Sequence, residues 1–107
     1  MTSSRAPDGA PVPPDETFER LVSRPGILVE RITSHGNVTP ADQPYRQASD
    51  EWVMVVSGAA RLRMAGQEHT LNPGDHLLIP AGLEHWVTYT SQAEPTVWLA
   101  VHLPAAG

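Results

Sequence analysis

The chain has 107 residues, 40% hydrophobic and 18% charged, which bounds it to one modest folded domain. Its formal charge is −5 and its seven basic residues, all arginine, form no run, which argues against nucleic acid as a partner. The absence of cysteine excludes disulfides, thiolate metal sites and cysteine nucleophiles. There is no apolar run of membrane-helix length and no charged-then-apolar start of a signal peptide, so a cytoplasmic location is expected.

Residues 1–15 are rich in Pro, Ser, Ala and Gly without apolar periodicity, which predicts a disordered or surface N-terminal arm. In the next stretch Phe18, Leu21 and Val22 fall at i, i+3 and i+4, compatible with a single helical turn or with an edge strand. Arg24-Pro25-Gly26 turns the chain. Residues 26–34 read as the first firm strand, with Ile27, Val29 and Arg31 on one face and Leu28, Glu30 and Ile32 on the other. A loop follows at His35-Gly36-Asn37, and residues 38–44 carry two prolines. The pattern then predicts a strand over 45–57, with an apolar end from Trp52 to Val56 whose two faces are both expected to be buried.

After the turn at Ser57-Gly58, residues 60–64 alternate, Leu62 and Met64 against Arg61 and Arg63. Ala65-Gly66-Gln67 is a hairpin connection to a return strand over 68–71. Asn72-Pro73-Gly74-Asp75 has turn chemistry, residues 76–79 form a short apolar run, and Pro80-Ala81-Gly82 turns the chain again. His85 opens a strand that runs to Tyr89. The last strand, 96–103, sets Val97, Leu99, Val101 and Leu103 against Trp98, Ala100 and His102. Short strands punctuated at this spacing predict an all-β sandwich or barrel, one domain over residues 16–107.

Candidate chemistry gathers at Tyr45, Gln47, Glu51 and His85. Period-two alternation puts the first three on one face if their segment is continuous strand. The turn residues before His85 give it a defined direction, as a ligand or proton carrier requires, although an isolated strand histidine is more often a hydrogen-bonded core residue. An inward, ionised Glu51 would be costly to bury without a metal, a hydrogen-bonding Tyr or Gln, or a proton. Tyr45 and Gln47 on their own read more readily as edge or loop residues. His35, His69 and His76 read as structural or surface, and Trp52, Met54, Trp86 and Trp98 as core, cavity wall or dimer interface.

Gly74, Pro80, Gly82 and His85 fit the pattern Gly-x5-Pro-x-Gly-x2-His, which resembles the second sequence motif of the cupin superfamily. The family often places Asn four residues after that histidine, where this chain has Tyr89. Glu51 and Gly58 fit the Glu-x6-Gly half of the first motif; the His-x-His before it is missing, and those positions fall on Tyr45 and Gln47. The resemblance spans residues 26–103 and implies the cupin double-stranded β-helix, a jelly-roll-like barrel.

In the family the four positions equivalent to Tyr45, Gln47, Glu51 and His85 hold a divalent metal, so the resemblance implies a site for Fe, Mn, Ni or Zn and no organic cofactor. A phenol, an amide, a carboxylate and one imidazole make a poorer set than three histidines and a glutamate. The implied function is binding of a small organic molecule in the barrel, with Glu51 and His85 as catalytic residues and His102, Trp98 and Tyr89 lining the substrate cavity. Its catalytic form would be a dioxygenase, isomerase, decarboxylase or cyclase with a weakly held metal. The alternatives are a non-catalytic binding or sensing module and a metal-free acid/base cyclase or epimerase. A homodimer burying more than about 1,000 Å² is expected through Leu28, Trp52, Met54 and Trp98.

Overall fold

The computed structural model describes residues 15–105, and residues 1–14 of the expected arm lie outside them. Eight strands follow one another: β1 (Thr17–Arg24), β2 (Ile27–Ser34), β3 (Asp50–Ser57), β4 (Ala60–Met64), β5 (Gln67–Leu71), β6 (His76–Ile79), β7 (His85–Thr90) and β8 (Thr96–Leu103). All pairings are antiparallel. One sheet has the order β1-β2-β8-β3-β6 and the other β5-β4-β7. The two close into a small jelly-roll barrel. No helix among the described residues is long and apolar enough to cross a membrane.

The stretch after the arm resolves as the edge strand β1 rather than a helical turn. A short strand on an open edge needs only one neighbour, and Phe18 buries itself against the barrel while Leu21 and Val22 stay exposed. The strand expected over 45–57 begins only at Asp50. Tyr45 makes an isolated bridge to His85, and residues 46–49 bend outside any ladder. The two prolines upstream and the bend at Ala48-Ser49 keep this segment from pairing along its length.

The core cluster contains Val53, Val55, Ala60, Leu62, Leu71, Ile79, Trp98 and Ala100. It joins the inward rows of both sheets, as a two-layer domain requires. Glycine is obligatory at position 58. Its φ is +88°, and a Cβ there would lie 2.7 Å from the Thr96 Cα and 2.6 Å from its Oγ1. The end of β3 can therefore turn directly against the start of β8, which fixes the register of the strand that carries Glu51. At the hairpin between β4 and β5, Ala65 and Gly66 both have positive φ, as a two-residue connection with right-handed strand twist demands.

Candidate functional site

The site is built on one row of the large sheet. Glu51 on β3 stands opposite His102 on β8, and β8 in turn pairs with β2, which carries Glu30 one inward position away. His85 reaches the same place from the small sheet. Its backbone exchanges two hydrogen bonds with Tyr45, each 2.9 Å, and Gly82 N–H donates to the Gln47 carbonyl at 2.7 Å. Asp50, the acid next to Glu51, accepts from Ala81 N–H at 2.8 Å. The turn before His85 is thus tied to both ends of the segment that leads into Glu51, which orients one side chain against the other.

Glu51, His85, His102 and Glu30 are all buried, each at most 6% exposed. Gln47 donates its amide N–H to Glu51 Oε1 at 2.8 Å. His85 Nε2 lies 3.7 Å from the same oxygen, and His102 Nε2 lies 3.8 Å from Glu51 Oε2. His102 Nε2 is closer to Glu30 Oε1, at 3.2 Å. Burial pushes the Glu51 carboxyl above its ordinary range; the two imidazoles and the Gln47 hydrogen bond oppose that rise without cancelling it. Glu16, on the cavity wall, is also raised by burial, against a 2.5 Å hydrogen bond from Ser34.

The tautomer of neutral His85 follows from its surroundings. Nδ1 faces the Leu83 carbonyl at 3.1 Å, and a carbonyl only accepts, so Nδ1 carries the hydrogen. The Nε2 lone pair then points toward Glu51. The Tyr45 ring stacks on the imidazole with centroids 5.6 Å apart and an angle of 27° between planes. Together these residues flank an inner cavity of about 50 Å³ whose remaining wall includes Val53, Leu62, Ile79 and Trp98.

The structure brings together Tyr45, Gln47, Glu51 and His85; Trp98 lines the same inner cavity, while His102 lies beside Glu51 and lines the outer cleft instead. Tyr89 does not join them. The pairing of β4 with β7 shifts between Arg61 and Leu62, so Arg61 faces Tyr89 while Leu62 faces Val87. That bulge reverses the alternation after Val87: Thr90 turns inward and Tyr89 turns outward, where Arg61 lies over its ring at 5.3 Å. Glu30 was missed as a site residue. Its signal was a carboxylate in the same row as Leu28 and Ile32, a row that faces the interior.

The donor set does not fit a resident divalent ion. Gln47 turns its N–H toward Glu51, leaving its own Oε1 buried without a hydrogen-bond partner. Among the described residues no three His, Cys, Asp or Glu side chains gather at metal-holding spacing. A neutral phenol and an amide are weak ligands, and the second imidazole, His102, already lies against the Glu30 carboxylate at 3.2 Å. The same contacts suit an organic group: an acceptor at Gln47 Oε1, a carboxyl held by its neighbours, and an imidazole lone pair.

Two antiparallel sheets closed over a Glu/His floor define a small jelly-roll barrel with a polar interior site. Residues 29–102 match the cupin domain family, and the chain belongs to it. A protein from Ralstonia eutropha JMP134, provisionally described as a mannose-6-phosphate isomerase, is 47% identical, with 86% of this chain and 87% of that one covered at a TM-score of 0.83. KdgF from a Halomonas species is 21% identical, with 89% and 85% covered and a TM-score of 0.73. The cupin domain of Schizosaccharomyces pombe Cnp3 is 11% identical, with 83% and 64% covered and a TM-score of 0.73. The last two likenesses concern the fold alone. No curated protein matches the chain.

Proposed function

We propose that this cupin binds the carbonyl end of a small polar molecule in its inner cavity and moves a proton on it without a resident metal. The observation that carries the reading is the pair His85 and Glu51: an imidazole whose Nε2 lone pair points toward a buried carboxyl 3.7 Å away, a carboxyl whose pKa burial raises. His85 Nε2 takes the proton from the carbon next to the carbonyl. Glu51 gives its proton to the carbonyl oxygen, which yields an enol, and on a 2-hydroxy carbonyl substrate an enediol. The carbonyl then moves to the other carbon when protonated His85 returns its proton to the former carbonyl carbon and the Glu51 carboxylate takes the proton of the neighbouring hydroxyl. Gln47 orients Glu51 through its N–H, and its unpaired Oε1 accepts a ligand hydroxyl. The cavity of about 50 Å³ admits only the reacting end of such a molecule. The isomerase description of the Ralstonia relative supports the same class of reaction.

The test is proton exchange in deuterium oxide, followed by NMR on aldoses, ketoses and mannose 6-phosphate, together with metal analysis of protein purified without a His-tag. Wild type is expected to wash deuterium into the carbon beside the carbonyl, with or without a chelator. Glu51→Gln and His85→Ala are expected to lose that exchange while keeping the β-rich circular dichroism. Saturable binding with no exchange would instead assign a binding module, and exchange that vanishes with chelator would assign a metal.

We also propose that the chain pairs with a second copy through the outer face of the five-stranded sheet. Trp52, Met54, Leu78, Val29, Leu99 and Val101 alternate outward there, across four adjacent strands, and Leu78 is 52% exposed. Five strands at about 4.8 Å and eight residues at about 3.3 Å give a face of roughly 600 Å², close to the roughly 800 Å² per partner of a stable interface. Two residues of the expected set do not belong to it. Trp98 is buried in the core with its Nε1 donating to Ser34 Oγ at 3.2 Å, and Leu28 faces inward beside His102.

A further inference from the structure

One end of the barrel opens into a cleft of about 710 Å³ between the β1–β2 hairpin and residues 46–49, and His102 forms part of its floor. Arg20, Arg24 and Arg46 line it, three of the seven basic residues of the chain. Among the described residues no Asp or Glu lines it, although the chain holds twelve and carries a net charge of −5. A random scatter of so few cations over an acidic surface would not gather three around one concavity and leave the acids out.

The strand register explains how they meet. Arg20 stands opposite Glu30 in the β1–β2 pair, and Glu30 faces inward, so Arg20 projects from the concave side of the sheet. The bulge between Arg20 and Val22 returns Ser23 to that side, opposite Leu28. Arg46 comes from the bent segment across the opening. The other described arginines are engaged elsewhere: Arg31 pairs with Glu19, and Arg61 and Arg63 lie over the rings of Tyr89 and Trp86. Arg46 also meets exposed Glu84, which is not part of the lining, at 3.1 Å, and Arg24 Nη1 donates to the Ser23 carbonyl at 2.9 Å. Arg20 forms no ion pair among the described residues.

We propose that this cleft is an oxyanion site that holds the phosphate or carboxylate group of a small molecule, with Arg20 and Arg46 as its principal donors. A guanidinium presents a planar fork of N–H groups that matches either anion in two parallel hydrogen bonds. The volume falls within the usual range of small-molecule sites, about 300–1,000 Å³. Arg24 adds charge at the rim, and Gln47 lines both this cleft and the inner cavity. The proposal stands without the proton-transfer reading, because it needs neither Glu51 nor His85.

An NMR titration of the full chain, at constant ionic strength in chloride, tests it with inorganic phosphate in one arm and succinate in the other. Saturable shifts are expected at the amides of residues 23–28 and 46–49. Saturation in one arm alone identifies the preferred anion. Arg20→Ala is expected to weaken the binding roughly tenfold, the loss of one charge-assisted pair, with Arg20→Lys in between and Arg61→Ala unchanged. Arg20 is exposed on an edge strand, so its replacement leaves the core intact; Arg46→Ala provides a second variant. Shifts that fail to saturate in both arms, or that respond equally to Arg61→Ala, would overturn the site.

Discussion

The two faces of the five-stranded sheet invert the usual distribution of polarity. The inner face carries Glu30, Glu51 and His102 among its buried residues, while the outer face presents Trp52, Met54, Leu78, Leu99 and Val101 toward the surface. Stability alone does not explain either. Buried carboxylates and imidazoles oppose folding unless they are paired, and a well-packed apolar interior of the same shape is at least as stable. The inner face is therefore where the proposed chemistry is to be tested. The outer face is where the proposed pairing is to be tested, since large apolar patches on isolated monomers are uncommon.

The comparison breaks most severely at Trp98, the aromatic residue of the core cluster. Trp98→Ala removes a buried indole and leaves Ser34 Oγ without that donor, so a loss of about 3–5 kcal/mol is expected from urea unfolding. A loss below about 1 kcal/mol would mean that the cavity collapses freely around position 98. On the outer face, Trp52→Glu is expected to weaken the dimer roughly a hundredfold, which light scattering reads at micromolar concentration, with the fold preserved. Wild-type protein that is monomeric under the same conditions would remove the outer face from the argument.

A smaller effect separates the faces by pH. The folded-state pKa of Glu51 lies above its ordinary value of 4.5, so the folded chain keeps a proton that the unfolded chain has released. The stability this contributes is whole below the ordinary value and declines as pH rises through the raised one. Glu16 has the same sign. Glu51→Gln is expected to flatten the decline that sets in above pH 4.5, read from denaturant midpoints as a function of pH. An unchanged slope would show that Glu51 is ionised in the folded state. The smallest effect is expected at His69, on β5 and away from both faces, where Ala should change stability by no more than about 0.5 kcal/mol. Proton exchange should be untouched by that substitution.

Much of this was legible in the residues. Turn chemistry and alternation located all the strands from β2 onward to within a few positions, except the early start assigned to β3. The pattern from Gly74 to His85, with Glu51 and Gly58, pointed to the family, and it drew attention to Glu51 and His85, which the fold brings within 3.7 Å of each other. Those readings depend on local backbone preference and on period-two alternation, which a sequence displays directly.

Other features belong to the tertiary structure because they depend on what lies across a ladder. A bulge turned Tyr89 outward, the β2–β8 register brought Glu30 to His102, and the β1–β2 register drew Arg20 onto the concave side. A one-residue shift in pairing exchanges the faces of everything beyond it, and no local pattern records the shift. Whether Gln47 would offer a lone pair or a hydrogen to Glu51 was likewise open from its identity alone. The packing of residues 45–51 against the turn before His85 decided it, since an amide carries both a donor and an acceptor and its partners select which one is used.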